Sequence, residues 1–242
     1  MITVKTDYPI ALDSPDHLEP WGTRRDSSRN KRFNQKLYKL FGTKTLRILD
    51  LGCAGGGFVK DCIDDRHIAV GLEGSDWSKK TKRAEWAILS DTALFTCDIA
   101  KPFEIVEDGK QMKFDVITAW EVLEHIKETD LKQVRSNILT HLSSPGLFIA
   151  SVSLVPEVIH GKALHQTVAS KNFWQNLFGT EKLLETYFNN QFVRGGKYDR
   201  DSFMCILVSG SFKVLRLSFG EKIMDSWIGS FPQRRIKRLM GI

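Results

Sequence analysis

The chain of 242 residues predicts an α/β fold, a doubly wound and mainly parallel sheet. Three observations carry that reading. Short apolar runs alternate with helical stretches between residues 46 and 152. The first run opens into a glycine-rich turn, Gly52-Cys53-Ala54-Gly55-Gly56-Gly57. Acidic residues stand at or beside the ends of successive runs: Asp50, Glu73 and Asp98. Such alternation implies right-handed crossovers, which bring ligands to the carboxyl ends of the strands.

Residues 1–23 hold Pro9, Pro15 and Pro20 among polar residues and read as an irregular arm. Asp26 or Ser27 caps a helix running through Phe41, with Phe33, Leu37, Leu40 and Phe41 on one face. The indole of Trp21, in Trp21-Gly22-Thr23, either lids a ligand mouth or fills a surface groove. Strands follow at 46–51, 67–72, 93–97, 113–119 and 146–152, with helices near 56–64, 77–88 and 129–142. Residues 182–188 and 202–209 read as a closing strand pair joined by Arg194-Gly195-Gly196-Lys197. Beyond Gly210, Ile223, Trp227, Ile228 and Phe231 share a helical face ahead of the basic run Arg234-Arg235-Ile236-Lys237-Arg238. That tail either docks on its own domain or rests on an anionic surface. The chain thus divides into an arm with a basic helix (1–45), one catalytic-size domain (46–210) and a basic extension (211–242).

The net charge of +6 is unevenly placed: residues 24–47 carry +8 and residues 211–242 carry +5, which leaves −7 for the remainder. Basic ends on an acidic body admit an anionic partner such as a nucleic acid, or two solvated helix faces. The longest nearly apolar run, Gly146 to Val155, is far short of a membrane span, and Met1 to Lys5 does not open a signal peptide. Cys53, Cys62, Cys97 and Cys205 form neither a C-x-x-C pair nor zinc spacing, which suits reduced thiols. A soluble, cytoplasmic protein is expected. Its oligomeric state is not legible.

The glycine turn is a nucleoside-holding device, because glycines let backbone approach a ligand and the following helix offers unpaired N–H groups. A dinucleotide fingerprint falls nearly on Gly52, Ala54 and Gly57. However, Ala54 occupies the position of close pyrophosphate approach, and Asp50 would set negative charge beside two phosphates. S-adenosylmethionine (SAM) has no phosphate and carries an ammonium, so Asp50 becomes an anchor. Glu73 lies about 20 residues past the turn, where an acidic side chain meets ribose hydroxyls. Asp98 is positioned to accept from the adenine amino group, with Ile99 against the ring.

These pieces, with Phe114-Asp115-Val116-Ile117-Thr118-Ala119-Trp120-Glu121-Val122-Leu123-Glu124-His125-Ile126, resemble the class I SAM-dependent methyltransferases over roughly residues 46–210. The resemblance implies a seven-stranded Rossmann-like sheet with its last strand antiparallel, and SAM as cofactor. It assigns cofactor contacts to Asp50, Gly52, Cys53, Ala54, Gly56, Glu73, Gly74, Asp98, Ile99 and Trp120. Ala54 departs from the family's usual middle glycine.

Glu121, Glu124 and His125 stand at i, i+3 and i+4, a spacing that sets all three on one helical face. In one reading His125 is a general base oriented by a glutamate. In another the three hold a divalent metal completed by His165 or His160, which resembles the metal-dependent small-RNA 3′-terminal 2′-O-methyltransferases; ubiquinone-pathway O-methyltransferases carry similar residues. In a third the set is structural. Residues 153–178 form the substrate-facing lid by resemblance, with His165, Phe173, Trp174 and Phe178 as its notable side chains. The H-x8-W pattern resembles small-molecule O-methyltransferases, whereas the i, i+4 spacing of Trp174 and Phe178 also suits core packing. The resulting expectation is O-methylation of a small hydroxylated metabolite or saccharide. Its rivals are a metal-assisted RNA ribose methyltransferase and a SAM-binding regulatory protein without turnover.

Overall fold

A sheet of six strands organises the protein. The computed structural model describes residues 1–15, 17, 29–42, 44–179, 182–188 and 202–210. The elements in order are β1 (Ile2–Lys5), α1 (Lys31–Phe41), β2 (Arg47–Leu51), α2 (Gly57–Asp64), β3 (Ile68–Glu73), α3 (Trp77–Lys80), α4 (Trp86–Leu89), β4 (Leu94–Thr96), β5 (Glu104–Glu107), β6 (Lys110–Gln111), β7 (Phe114–Trp120), α5 (Leu131–His141), β8 (Leu142–Ser153), β9 (Val158–Ile159), β10 (Lys162–Ala163), α6 (Lys171–Phe178), α7 (Lys182–Phe188) and β11 (Ser202–Ser209).

The main sheet runs β11-β8-β7-β2-β3-β4, with β11 antiparallel to β8 and the other pairings parallel. Strand β2 sits at the centre because Ile48 to Leu51 are buried on both faces, as an interior parallel strand requires. Chain order reverses between β2 and β7, so the crevice for a ligand opens at their carboxyl ends. Leu49, Val70, Leu72, Ile117, Phe148 and Val152 share one core cluster with Trp174 and Phe178. The last two rings stack 6.3 Å apart, and Phe178 meets Phe148 of β8 at 5.8 Å, so α6 is held as core.

Several expectations need correction. Residues 182–188 form helix α7, not a strand, because Leu184, Tyr187 and Phe188 are buried at i, i+3 and i+4. Six strands, not seven, therefore join the main sheet among the described residues. The span 77–88 breaks into α3 and α4, with Lys82 and Ala84 left-handed between them at φ 51° and 47°. The like-charged run Lys79, Lys80, Lys82 and Arg83 disfavours one continuous helix. Helix α1 starts at Lys31 under Asn30, whose side chain accepts from Phe33 N–H at 3.1 Å, and not under Asp26 or Ser27. The arm is not wholly irregular: β1 pairs antiparallel with β5, Ile2 opposite Glu107 and Lys5 opposite Glu104. Trp21-Gly22-Thr23, the Arg194–Lys197 loop and the basic extension lie outside the described residues.

No described helix is long and apolar enough to cross a membrane. Several cations of the basic N-terminal region are engaged within the domain. Arg29 pairs with Asp61 and Glu85, Lys44 with Asp115 at 2.5 Å and Arg47 with Glu107 at 2.8 Å, while Lys36 Nζ donates to the Tyr187 carbonyl at 2.8 Å.

Candidate active site

The glycine turn folds back over β3, with Gly52 and Cys53 N–H both donating to the Leu72 carbonyl at 2.8 and 2.9 Å. Gly52 has φ +71°, and a Cβ there would stand 2.4 Å from Val122 Cγ2, so both conformation and packing demand glycine. Gly56, left-handed at φ 82°, ends the turn and α2 begins at Gly57. Ala54 adopts φ 49°, the left-handed conformation that a family glycine would take without strain. Its N–H donates to Glu73 Oε2 at 2.8 Å and its carbonyl accepts from Trp86 Nε1 at 2.8 Å, which holds the strained residue in place.

Asp50 is buried in the middle of the sheet, in register with Gly71 on one side and Thr118 on the other. One carboxylate oxygen accepts from the Thr118 hydroxyl at 2.7 Å; the other finds no partner among the described residues. Burial first, then the charge of Glu73, pushes Asp50 up to about 7, against the opposing Thr118 hydrogen bond. Cys53 beside it is a buried thiol raised well above its ordinary value, again by burial first.

Glu73 ends β3 with its second oxygen accepting from Ser75 N–H at 3.3 Å. Asp98 follows β4; its Oδ1 accepts from Ala100 N–H at 2.9 Å, and burial raises its carboxyl above the ordinary range. The arm crosses these strand ends: Asp98 N–H donates to the Tyr8 carbonyl and Ala11 N–H to the Gly74 carbonyl, both at 2.9 Å. A Cβ on Gly74 would stand 2.9 Å from Ala11 Cβ. Ile99 is buried in the core cluster beside Asp98. Trp120 leaves the sheet toward the helices, edge-on to Phe33 at 4.9 Å and to Phe58 at 6.4 Å.

The structure gathers Asp50, the turn, Glu73 and Asp98 at the carboxyl ends of β2, β3 and β4. Sequence reasoning missed the arm residues Tyr8 and Ala11, and Thr118 and Val122, which support the turn from β7 and beyond. A buried carboxylate with an orphaned oxygen, beside a turn whose Gly52 has no room for a Cβ, fits the ammonium of SAM. A phosphate would meet repulsion there.

The Glu-x-x-Glu-His stretch does not form a helical face. Glu121 is left-handed at φ 52°, its N–H donating to the Ser151 carbonyl and hydroxyl at 3.1 Å each. Only Leu123–His125 form a short 3-10 turn. Glu124 is fully buried, with Oε1 accepting from Ser153 N–H at 2.8 Å and its carbonyl accepting from Gln166 and Thr167 N–H. Burial first, then the neighbouring Glu121, holds Glu124 well above the usual carboxylate range. It ties β8 and the segment after β10 to the end of β7.

His125 instead meets His165, edge to face with ring centroids 4.9 Å apart. His165 Nδ1 lies 2.5 Å from the Val155 carbonyl, which can only accept, so Nδ1 carries a proton. Its Nε2 faces Glu157 Oε2 at 3.4 Å, a residue that sequence reasoning did not single out. His160 sits in the turn between β9 and β10, left-handed at φ 51° and exposed, outside this cluster.

A sheet reversing at β2, a glycine turn and acidic strand ends give the chain a Rossmann-like α/β fold with a crevice at the strands' carboxyl ends. The chain belongs to the methyltransferase domain family, whose profile matches residues 24–189. Among curated proteins none matches the chain. Similar solved structures include the N-methyltransferase NodS from Bradyrhizobium japonicum WM9 with S-adenosyl-L-homocysteine, at 19% identity, TM-score 0.38, 56% of this chain and 66% of that one. The chain thus spans just under two thirds of NodS in that complex. The PH0226 protein from Pyrococcus horikoshii OT3 is 14% identical at TM-score 0.46, covering 81% of this chain and 95% of that one. The StiE O-MT, residues 961–1257, is 19% identical at TM-score 0.42, covering 60% and 49%.

Proposed function

We propose that the protein transfers the methyl group of SAM to an oxygen of a small hydroxylated metabolite or saccharide. SAM supplies an electrophilic methyl for in-line displacement, so the chain's own task is to hold donor and acceptor in line and exclude water. In this reading Asp50 receives the donor's ammonium on its free oxygen. Gly52, Cys53, Ala54 and Gly56 give the donor a bare backbone surface. Glu73 meets the ribose, and Asp98 with Ile99 and Gly74 the adenine edge. Trp120 backs the site through the aromatic layer it shares with Phe33 and Phe58.

The observation that carries the oxygen acceptor is the His125–His165–Glu157 cluster just beyond the carboxyl ends of β7 and β8. A hydroxyl must lose its proton to attack a sulfonium, and this cluster is where it would be activated. Glu124, buried, holds the cluster's backbone in place through its bonds to Ser153, Gln166 and Thr167, and Glu121 shapes the exit from β7. A small acceptor agrees with the engagement of Arg29, Lys36, Lys44 and Arg47 inside the domain, which removes those cations from an RNA-binding face.

The test is methyl transfer from radiolabelled SAM to separate pools of saccharides, phenols, amines and short RNA. The expected product is an alkali-stable methyl ether from the hydroxyl pools, with His165→Ala lowering kcat by roughly 100-fold or more. Turnover confined to amines or RNA, or an undiminished His165→Ala enzyme, contradicts the reading.

A further inference from the structure

We infer that His125, His165 and Glu157 form a binding site for a divalent transition-metal ion. One ligand atom from each lies within 4.8 Å of the others, and they come from three separate segments: the turn after β7, the loop before β9 and the segment after β10. Metal bonds of about 2.1 Å space adjacent ligands roughly 3 Å apart and opposed ones roughly 4 Å apart. His165 Nε2 and Glu157 Oε2, 3.4 Å apart, already stand near the adjacent spacing, and the widest pair, within 4.8 Å, must close by no more than about 2 Å, which Glu157, the exposed member, has the freedom to do.

The surroundings are those of a built site. The bond from His165 Nδ1–H to the Val155 carbonyl orients the ring so that Nε2 faces Glu157, and the His165 side chain is only 7% exposed. A ring nitrogen bonded to a backbone carbonyl while the other nitrogen points into a ligand set is the usual support of a metal-binding histidine. Backbone bonds fix the spacing. Leu164 N–H donates to the Glu157 carbonyl at 2.8 Å across the β9–β10 hairpin, which brings Glu157 and His165 to one end of it. Gln166 and Thr167 N–H donate to the Glu124 carbonyl at 2.8 and 3.0 Å, and the Thr167 hydroxyl donates to the Ile126 carbonyl at 2.7 Å. These bonds flank His125 and His165 and hold the two rings edge to face.

Two imidazoles and one carboxylate suit Mn(II), Fe(II), Co(II) or Zn(II) and leave positions open for oxygen ligands. The ligand set differs from the one the sequence suggested: His125 and His165 remain, Glu157 enters, and Glu121, Glu124 and His160 are outside. The inference deepens the oxygen-acceptor reading for its catalytic meaning, since an ion here would acidify a coordinated hydroxyl. The site's existence does not depend on that reading.

The test uses the full chain, dialysed against chelator, titrated with CoCl2 and followed by visible d–d absorption, with no donor or acceptor present. One equivalent of Co(II) is expected to bind. His125→Ala, His165→Ala and Glu157→Gln should each weaken binding by at least about tenfold, the scale on which even supporting residues of metal sites act. His160→Asn, a substitution that tolerates the left-handed turn, should bind as the parent does. Glu157→Gln alters an exposed side chain, so its retained SAM-induced thermal shift shows an intact fold. No binding by the parent chain, or equal binding by the three variants, overturns the site. Hydroxyl methylation that persists in a chain that binds no ion overturns this inference alone. Binding without hydroxyl turnover upholds the site and removes the acceptor reading.

Discussion

Asp50→Asn should make the protein more stable and worse at holding its cofactor. Asp50 is buried, with one oxygen on Thr118 and the other without a partner among the described residues, and its carboxyl is raised from 3.8 to about 7. A folded-state value above the unfolded one means that stability is lost as pH rises, here from about 4 to about 7. The roughly three units correspond to a ceiling of about 4 kcal/mol, and relaxation around the charge reduces that to about 2 kcal/mol. Asparagine can still accept from Thr118 and never ionises. The variant should therefore melt about 4–8 °C above the parent at pH 8.5, given 2–4 °C per kcal/mol at this chain length, and closer to it at pH 5. With SAM the order reverses. The ammonium supplies the missing counter-charge only to an ionised Asp50, so parent affinity rises with pH up to about 7 and the variant's thermal shift is small and pH-independent. Thermal melts at the two pH values, with and without SAM, read both effects. A variant that melts no higher at pH 8.5, or keeps the parent's shift, refutes the reasoning.

Gly52→Ala forces a Cβ to 2.4 Å from Val122 Cγ2 at φ +71°. It should cost about 2–3 kcal/mol by urea denaturation, and an unchanged midpoint would contradict the packing of the turn. Glu124→Gln keeps an acceptor for Ser153 N–H at a buried position where the charged carboxylate is disfavoured, and should change stability at pH 7 by less than about 1 kcal/mol. Glu124→Ala leaves Ser153 N–H unpaired and should cost about 2–4 kcal/mol in the same assay. Equal losses from the two would contradict the role given to the Ser153 bond.

The turn and the acidic strand ends were legible because their signals are local. A glycine run behind an apolar strand, and a carboxylate at each strand end, are patterns of single segments, and Asp50, Glu73 and Asp98 converge because parallel strands share one edge. The arrangement after β7 was not, because its geometry depends on contacts distant in sequence. Spacing alone set Glu121, Glu124 and His125 on a helix, yet Glu121 is held left-handed by Ser151 and Glu124 is drawn inward by Ser153, both from β8. Glu157 carried no motif and reaches His165 only because a two-residue hairpin doubles the chain back. The error at 182–188 was one of period. Leu184, Tyr187 and Phe188 mark a helix face, whereas the expected closing strand encouraged an alternating reading. The arm's β1 was hidden for a related reason, since four residues pair with a strand about 100 positions away.

The most direct measurement is a crystal structure of the protein with S-adenosyl-L-homocysteine. It should show the ligand's ammonium within hydrogen-bond distance of the free Asp50 oxygen, its ribose on Glu73 and its adenine between Asp98 and Ile99. A ligand bound elsewhere, or lying across the turn with its ammonium away from Asp50, would contradict the account.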